Sequence, residues 1–370
     1  MRTDGSAGYL CAMSDPRKLR IGFIASSTQT VEQQFAGGME AHTVALAEGL
    51  RARGHEVTIH DGSGGGFGAR TGHGHLRLSL AACGDVSMPA RGFLEEHHAY
   101  LSLMVALDEQ GYDVVHNNCL HYLPVAMAPA LRTPMLTTLH SPPTPWLESA
   151  IAVAARGGTG SRWASVSRVN AAAWAHAARP CRVIPNGISL ETWRYRDRGR
   201  RRGAVWSGRI VPEKGTHLAV EAARLAGIPL TIAGPVDDHD YFERCLGDAG
   251  PEVTYAGHLD SDALAALVGD AEVALVTPCW EEPFGLVAIE ALACGTPVAA
   301  FARGALPEIL DARTGALARP GDAADLARQI EVARGLPRGA CRRRAERRFS
   351  LEAMIDRYLD AYRSLLGVPA

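Results

Sequence analysis

The sequence predicts an α/β protein built from two doubly wound, Rossmann-like domains that face each other across a cleft. Three observations predict it. Short apolar strands alternate with helical patterns along the chain, the pattern restarts once after a turn-rich basic connection, and 370 residues suit two domains of ~100–200 residues each. In the first half the strand candidates are 19–25, 56–60, 114–116, 135–139, 163–166 and 182–184, with helices between them, as at 39–53 and 94–109. The connection at 185–203 holds the turn pair Asn186-Gly187 and the basic run Arg198, Arg200, Arg201, Arg202. The second set of strands is 204–207, 230–233, 253–255, 273–276 and 298–300, and a last helix is expected over 351–366. The expected division is therefore a leader at 1–18 read as disordered, an N-terminal domain at 19–184, a linker at 185–203, a C-terminal domain at 204–348 and a closing helix in 349–370. In open α/β sheets ligands bind outside the carboxyl ends of the strands, which puts the site where the two domains meet.

Composition narrows the function. A formal charge of −2 gives no general attraction to nucleic acid, so partners must come from sites. The arginines of the linker, and Arg342, Arg343, Arg344, Arg347 and Arg348 near the C-terminus, have no aromatic interleaving and read as solvated surface. The eight cysteines form no Cys-x-x-Cys pair, which favours a reducing cytoplasm over a disulfide framework or a zinc ribbon. No apolar run approaches ~18 residues and no signal core precedes the first strand, so neither a membrane span nor secretion is expected.

The most informative stretch is Glu282-Pro283-Phe284-Gly285-Leu286-Val287-Ala288-Ile289-Glu290. A strand at 272–277 runs into a loop with Pro283 and Gly285, and a helix then starts near Gly285 and stops at Gly295-Thr296-Pro297. Its N-terminus offers free N–H groups and partial positive charge to a phosphate. Glu282 lies in the loop above that terminus and Glu290 just over one turn inside the helix, so their carboxylates can accept hydroxyl hydrogen bonds on opposite sides of a bound anion. An ordinary loop acid and an ordinary helix glutamate are the alternative. The second cluster, Trp206-Ser207-Gly208-Arg209-Ile210-Val211-Pro212-Glu213-Lys214-Gly215, follows the first strand of the second domain and places Arg209 and Lys214 about a turn that ends at a helix start. A surface ion pair of Lys214 with Glu213 or Glu221 is its alternative.

With these residues in register, the chain resembles the retaining nucleotide-sugar glycosyltransferases of family four (group 1), which have the GT-B fold. The resemblance covers about residues 19 to 366, strongly in the second domain and loosely in the first. It implies that Glu282 lies by the donor sugar and Glu290 by the nucleotide ribose. It likewise implies that Phe284, Gly285 and Leu286 belong to the donor site and that Arg209 and Lys214 bind the donor diphosphate. In the first domain, Gly37-Gly38 opens a helix and by the same resemblance closes over the donor from the acceptor side. The first strand is followed by Ser26-Ser27-Thr28-Gln29, where a dinucleotide fold would carry Gly-x-Gly-x-x-Gly. His140 follows the strand at 135–139, and the resemblance puts it against the donor sugar. Leu259, after Tyr255-Ala256-Gly257-His258, corresponds to the region that holds the nucleobase. The last helix is expected, from the resemblance alone, to cross back onto the N-terminal domain.

No metal and no cofactor are called for, since Arg209, Lys214 and two helix termini can carry the diphosphate charge. Asp260-Ser261-Asp262 is read as a helix cap and not as a metal motif. The expected reaction is transfer of a hexose or N-acetylhexosamine from a nucleotide diphosphate sugar, UDP first among the nucleotides, to a hydroxyl of a small soluble acceptor. Few cations and no basic amphipathic stripe between residues 61 and 100 argue against a membrane-seated acceptor. Trp146, Tyr122, His97 and His98 are candidates to line the acceptor pocket. The oligomeric state stays open, as do two alternatives: an epimerase or phosphorylase of the same fold, and a non-catalytic sugar-nucleotide binding module.

Overall fold

The computed structural model describes residues 18–25, 38–61, 91–156, 161–195, 201–247 and 249–367. Among them, twelve strands form two six-stranded sheets in which every pairing is parallel. The first sheet contains β1 (Arg20–Ile24), β2 (Glu56–His60), β3 (Val114–Asn117), β4 (Met135–Leu139), β5 (Ser161–Ser165) and β6 (Cys181–Val183), in the order β2-β1-β3-β4-β5-β6. The second contains β7 (Ala204–Ser207), β8 (Leu230–Ala233), β9 (Val253–Tyr255), β10 (Val273–Val276), β11 (Val298–Phe301) and β12 (Gly315–Ala318), in the order β12-β11-β10-β7-β8-β9. Strands such as Met135–Leu139 and Val298–Phe301 are buried at every residue, as parallel strands covered by helices on both faces must be. In each sheet the chain order reverses beside the first strand, between β1 and β3 and between β7 and β10. A crevice opens at such a point, at the strands' carboxyl ends.

The observed strands match those expected to within one or two residues at most ends, and β12 is additional. The second helix runs Arg91–Ala106 and tightens into a 3-10 turn at Leu107–Gln110. The last described helix, Leu351–Leu365, lays Met354, Ile355, Tyr358 and Tyr362 into the core of the first sheet against Ile21, Phe23, Leu46 and Leu50. Tyr362 hydrogen-bonds buried His116 (2.7 Å), which also bonds Thr138 (2.8 Å). The outgoing and returning crossings of the chain lie side by side: Ile188 pairs with Ser350, its N–H donating to Phe349 (2.9 Å) and its carbonyl accepting from Leu351 (3.0 Å). Gly187 permits the approach, because a Cβ there would stand 2.6 Å from the Ser350 carbonyl oxygen. Among the described residues no helix is long and apolar enough to cross a membrane.

Arg202, Arg343, Arg347 and Arg348 are exposed as expected, but three arginines of the two runs depart from that reading. Arg201, Arg342 and Arg344 keep only 15%, 17% and 11% of their side chains exposed. Arg201 donates to the Gly269 carbonyl (2.9 Å), near the end of the helix Ser261–Asp270, and Arg338 donates there too (2.8 Å) and to Ala271 (2.9 Å). Arg342 donates to the carbonyls of Trp193 (2.8 Å) and Ala293 (3.0 Å), the latter closing the helix Leu286–Ala293, and Arg344 serves Ile309 and Glu308. The last carbonyls of a helix lack intrahelical partners and carry partial negative charge, so a forked cation there satisfies both needs. Arg198 and Arg200 lie outside the described residues.

Arg338 also reaches the Thr296 hydroxyl (2.8 Å), so Arg338→Ala would strand several buried acceptors at once. Such a loss is expected to destabilise the protein by about 3 kcal/mol, and Arg338→Lys, lacking the fork, should recover less than half of it. Urea unfolding checks this; an Arg338→Ala midpoint equal to that of the parent would refute the assignment.

Candidate functional site

The crevice of the second sheet lies between the ends of β7 and β10. After β7 the chain turns through Gly208 and Arg209 and enters a 3-10 turn at Pro212–Lys214, then Gly215 takes left-handed geometry (φ 69°) and opens the helix Thr216–Ala226. A Cβ on Gly215 would lie 2.0 Å from the Thr277 carbonyl oxygen, so only glycine lets this turn seat on the end of β10. The Cys279 N–H donates to Glu213 (2.8 Å), and Trp206 donates to Thr277 (3.0 Å), fastening the two strand ends together.

This seat brings Lys214 to Glu282 across 68 positions of sequence, with Nζ to Oε2 at 2.7 Å. The Trp280 indole N–H donates to the same oxygen (3.1 Å), and the ammonium lies 5.1 Å from the Trp280 ring centroid. Lys214 thus pairs with neither Glu213 nor Glu221. Arg209 spans Asp237 (3.4 Å) and Glu213 (3.7 Å) with a side chain 40% exposed. Exposed pairs of that length are worth ~0–1 kcal/mol, so a phosphate can displace them. The loops after β7, β8 and β9 stack through glycines. Gly234 has its Cβ position 1.9 Å from the Gly208 carbonyl oxygen and donates its N–H to Gly257 (2.9 Å). Half-buried Leu259 therefore stands two loops from Arg209, just ahead of Asp260, which caps the helix Ser261–Asp270 through Ala263 (2.8 Å).

The helix Leu286–Ala293 begins at Gly285, again left-handed (φ 100°), and no side chain caps it. Asp260, Asp322 and Ser350 cap other helices of the chain, while Thr216–Ala226 and Arg338–Phe349 start without a side-chain cap as this helix does. Phe284 anchors the preceding loop in the core. One turn into the helix, burial raises the Glu290 carboxyl from its usual range to about 7. Among the described residues no hydrogen bond of 3.5 Å or less reaches that carboxyl.

The first domain meets this terminus directly. Gly37 lies outside the described residues, but Gly38 starts the helix Gly38–Ala52, and a Cβ on it would stand 2.7 Å from Cδ1 of Leu286. His140, at the end of β4, shares a hydrogen bond with the Asn118 side-chain oxygen (3.1 Å), and the Asn118 amide donates to Thr43 (3.2 Å). That orientation assigns the proton to Nε2 of His140 and leaves Nδ1 an acceptor. Burial, with His42 and His116 alongside, holds His140 well below the usual histidine range, so it is neutral at pH 7. His42 packs edge-on against it, 4.9 Å between centroids, and hydrogen-bonds Tyr358 (3.3 Å). Across the cleft, Ser167 donates to the Pro283 carbonyl (2.7 Å), and the Glu308 carboxylate accepts from the N–H groups of Arg168 (3.1 Å) and Val169 (2.6 Å).

Sequence reading missed Asn118, Trp280, Ser167 and Glu308. Asn118 had a signal, a second polar residue past a strand end at the chain reversal; the others depend on distant partners. Of the proposed acceptor group, Tyr122 and Trp146 stack (5.4 Å) and line a cavity of about 530 Å³, while His97 bonds the Tyr122 hydroxyl (3.1 Å). His98 turns instead to Ser102 (3.2 Å), and neither histidine is among the cavity's lining residues.

Both halves of the chain are similar to known proteins. Residues 36–192 match the family described as Glycosyltransferase Family 4, and residues 194–340 match Glycosyl transferases group 1. Glycogen synthase of Mycobacterium tuberculosis is 37% identical over 185 residues, 47% of this chain and 44% of that one. D-inositol 3-phosphate glycosyltransferase of Mycobacterium bovis is 34% identical over 220 residues, 52% of this chain and 46% of that one. The match thus spans somewhat less than half the length of these relatives. Among solved structures, sucrose-phosphate synthase from Thermosynechococcus elongatus superposes with a TM-score of 0.73 at 24% identity, covering 95% of this chain and all of that one. AviGT4, a glycosyltransferase involved in avilamycin A biosynthesis, gives 0.69 at 23% identity, covering 94% and 98%. Anabaena HepE, solved with UDP and glucose, gives 0.69 at 18% identity, covering 94% and 100%. The fold is GT-B.

Glu290 gives the site a measurable signature. Its folded-state pKa lies above its unfolded value, so stability is full below about pH 4.5 and falls as pH rises towards 7. Glu290→Gln should therefore melt several degrees above the parent at pH 8 and level with it at pH 4.5. Equal melting temperatures at pH 8 would count against a desolvated carboxyl.

Proposed function

The chain belongs to the group 1, family 4 glycosyltransferases, and from that premise we propose that it moves a hexose or N-acetylhexosamine from UDP to a hydroxyl of a small soluble acceptor with retention at the anomeric carbon. The observation that carries the reading is the junction of Lys214, Glu282 and the bare helix start at Gly285–Leu286, all at the chain reversal of the second sheet. A nucleotide sugar needs an anion site beside a hydroxyl-accepting carboxylate, and this junction supplies both within one loop. The HepE complex with UDP and glucose supports uridine as the nucleotide.

In this reading the donor diphosphate takes Lys214 and Arg209 as counter-ions and lies against the amides of the bare helix start. Released from Lys214, Glu282 accepts hydrogen bonds from the sugar hydroxyls. Glu290 accepts from the ribose, Leu259 borders the base, and Gly37, Gly38 and His140 close from the other domain. His140 acts as a neutral hydrogen-bonding partner of the sugar, since burial makes it a weak base. The acceptor oxygen bonds to the anomeric carbon on the face from which the diphosphate departs. The leaving oxygen keeps the bonding electrons and takes the acceptor's proton. Charge grows on that oxygen in the transition state, where this reading brings Lys214, Arg209 and the helix terminus, so no metal is required by this scheme.

Removing one such preorganised donor costs about 3–4 kcal/mol. Lys214→Ala should lower kcat by ~10²–10³ with little change in melting temperature. A melting-shift panel of UDP-, GDP-, ADP- and TDP-sugars on the parent should respond to the UDP series first. Full turnover in Lys214→Ala would remove the diphosphate assignment, and a stronger response to another nucleotide would remove UDP.

A further inference from the structure

A fully buried asparagine stands at the chain reversal of the first sheet. Asn118 follows β3, and its N–H donates to the Ile24 carbonyl (2.9 Å), which carries the pairing of β1 with β3 one residue past the strand end. A carboxamide without exposure must place both its oxygen and its nitrogen on partners. Asn118 does so between two elements that border the cleft, His140 at the end of β4 (3.1 Å) and Thr43 in the helix Gly38–Ala52 (3.2 Å).

A third group decides which way the amide faces. The Thr43 hydroxyl stands 2.9 Å from the Met39 carbonyl one turn earlier in the same helix, and a carbonyl can only accept. The hydroxyl hydrogen is thus committed to Met39, and Thr43 Oγ1 receives the Asn118 side-chain N–H. That leaves Asn118 Oδ1 facing His140 Nε2, which must donate. A neutral imidazole carries one proton, so Nδ1 holds a lone pair. The state of one ring nitrogen is therefore set from the first turn of the helix whose opening residue, Gly38, meets Leu286 at the start of the donor helix. The titratable groups facing His140 leave this undisturbed. Burial holds His42, from that same helix, at about 4, and holds His116, from β3, well below the usual histidine range, so neither is charged at pH 7.

We propose that Asn118 is a positioning residue of the donor site: it fixes His140 in the Nε2–H form, so that the ring offers Nδ1 purely as a hydrogen-bond acceptor to a hydroxyl of the donor sugar. The sugar contact rests on the transferase reading above; the tautomer rests on the geometry of Met39, Thr43 and Asn118. A hydroxyl can donate or accept, and the locked ring selects the orientation in which it donates. Because both the amide and the ring are already held, neither has to be ordered when the sugar arrives.

Nitrogen NMR of the full chain labelled at histidine, with the His140 signals identified by their loss in His140→Gln, reads the tautomer directly. Nε2 is expected to carry the proton and Nδ1 to lack it. Affinities for UDP-glucose, UDP-N-acetylglucosamine and UDP are then measured by titration. Asn118→Leu should lower the affinity for at least one of the sugars relative to UDP by about five- to tenfold, the worth of one hydrogen bond, and should add no further loss in a His140→Ala background. Asn118→Asp keeps the acceptor but adds negative charge, which favours the imidazolium. Compared with the parent at the same pH, its sugar-to-UDP affinity ratio should match at pH 9 and fall behind towards pH 6, where Nδ1 becomes a donor. A His140 protonated at Nδ1 or mixed in the parent, an unchanged ratio in Asn118→Leu, an equal loss with and without His140, or an Asn118→Asp ratio that does not vary with pH would each overturn the proposal. Should Asn118→Leu fail to fold, the parent spectrum and Asn118→Asp decide. The other tautomer in a protein that binds UDP-sugars removes this inference and leaves the donor assignment; a parent that binds none of the three ligands removes both.

Discussion

The architecture turns on the short parallel contact of Ile188 with Ser350. There the chain leaves the first domain and, some 160 residues later, returns to it, and the two crossings hold each other by backbone hydrogen bonds. A single crossing would leave the sheets free to swivel about one connection. Here two crossings are bonded to each other, and Gly187 is needed there because a side chain would strike the returning backbone. The returning helix then completes the core under β1, with Tyr358 and Tyr362 reaching the histidines behind the cleft. The orientation of His140 is thus linked, through His42 and Tyr358, to the far end of the chain.

Within the second domain, close backbone approach precedes chemistry. Gly215 lets the β7 turn rest on the end of β10, and only then can Lys214 reach Glu282. The ion pair has a physical logic. A partly buried ammonium without a partner is unfavourable, and Glu282 supplies negative charge until something more anionic arrives. The pair also fixes the lysine's long side chain, which lowers the ordering entropy that remains when an anion binds.

Much of this was legible in the sequence, and the misses share a cause. The buried strands announce themselves by β-branched and aliphatic runs, as in Met135–Leu139 and Val273–Val276. The chain reversals follow from the βα alternation, and Gly215, Gly285 and the Asp260 cap are local signals. By contrast, β12 reads Gly-Ala-Leu-Ala, with no β-branched residue to mark it, and pairs only because β11 offers an edge. Arg201, Arg342 and Arg344 look like solvent-facing charge because sequence does not show their partners. The carbonyls that Arg201 and Arg338 bind lie 67 to 69 positions away, at the end of a helix whose position is set by the sheet. Lys214 and Glu282 could be proposed separately from local context, but their contact depends on strand order.

The raised carboxyl of Glu290 carries a last consequence. Near neutrality that side chain still holds a hydrogen ion in part of the molecules. Any occupant that hydrogen-bonds to the ionised form must expel it. Calorimetric heats of such an association would then vary with the ionisation enthalpy of the buffer, and a mildly acidic medium would weaken the occupant's hold without altering the protein's shape.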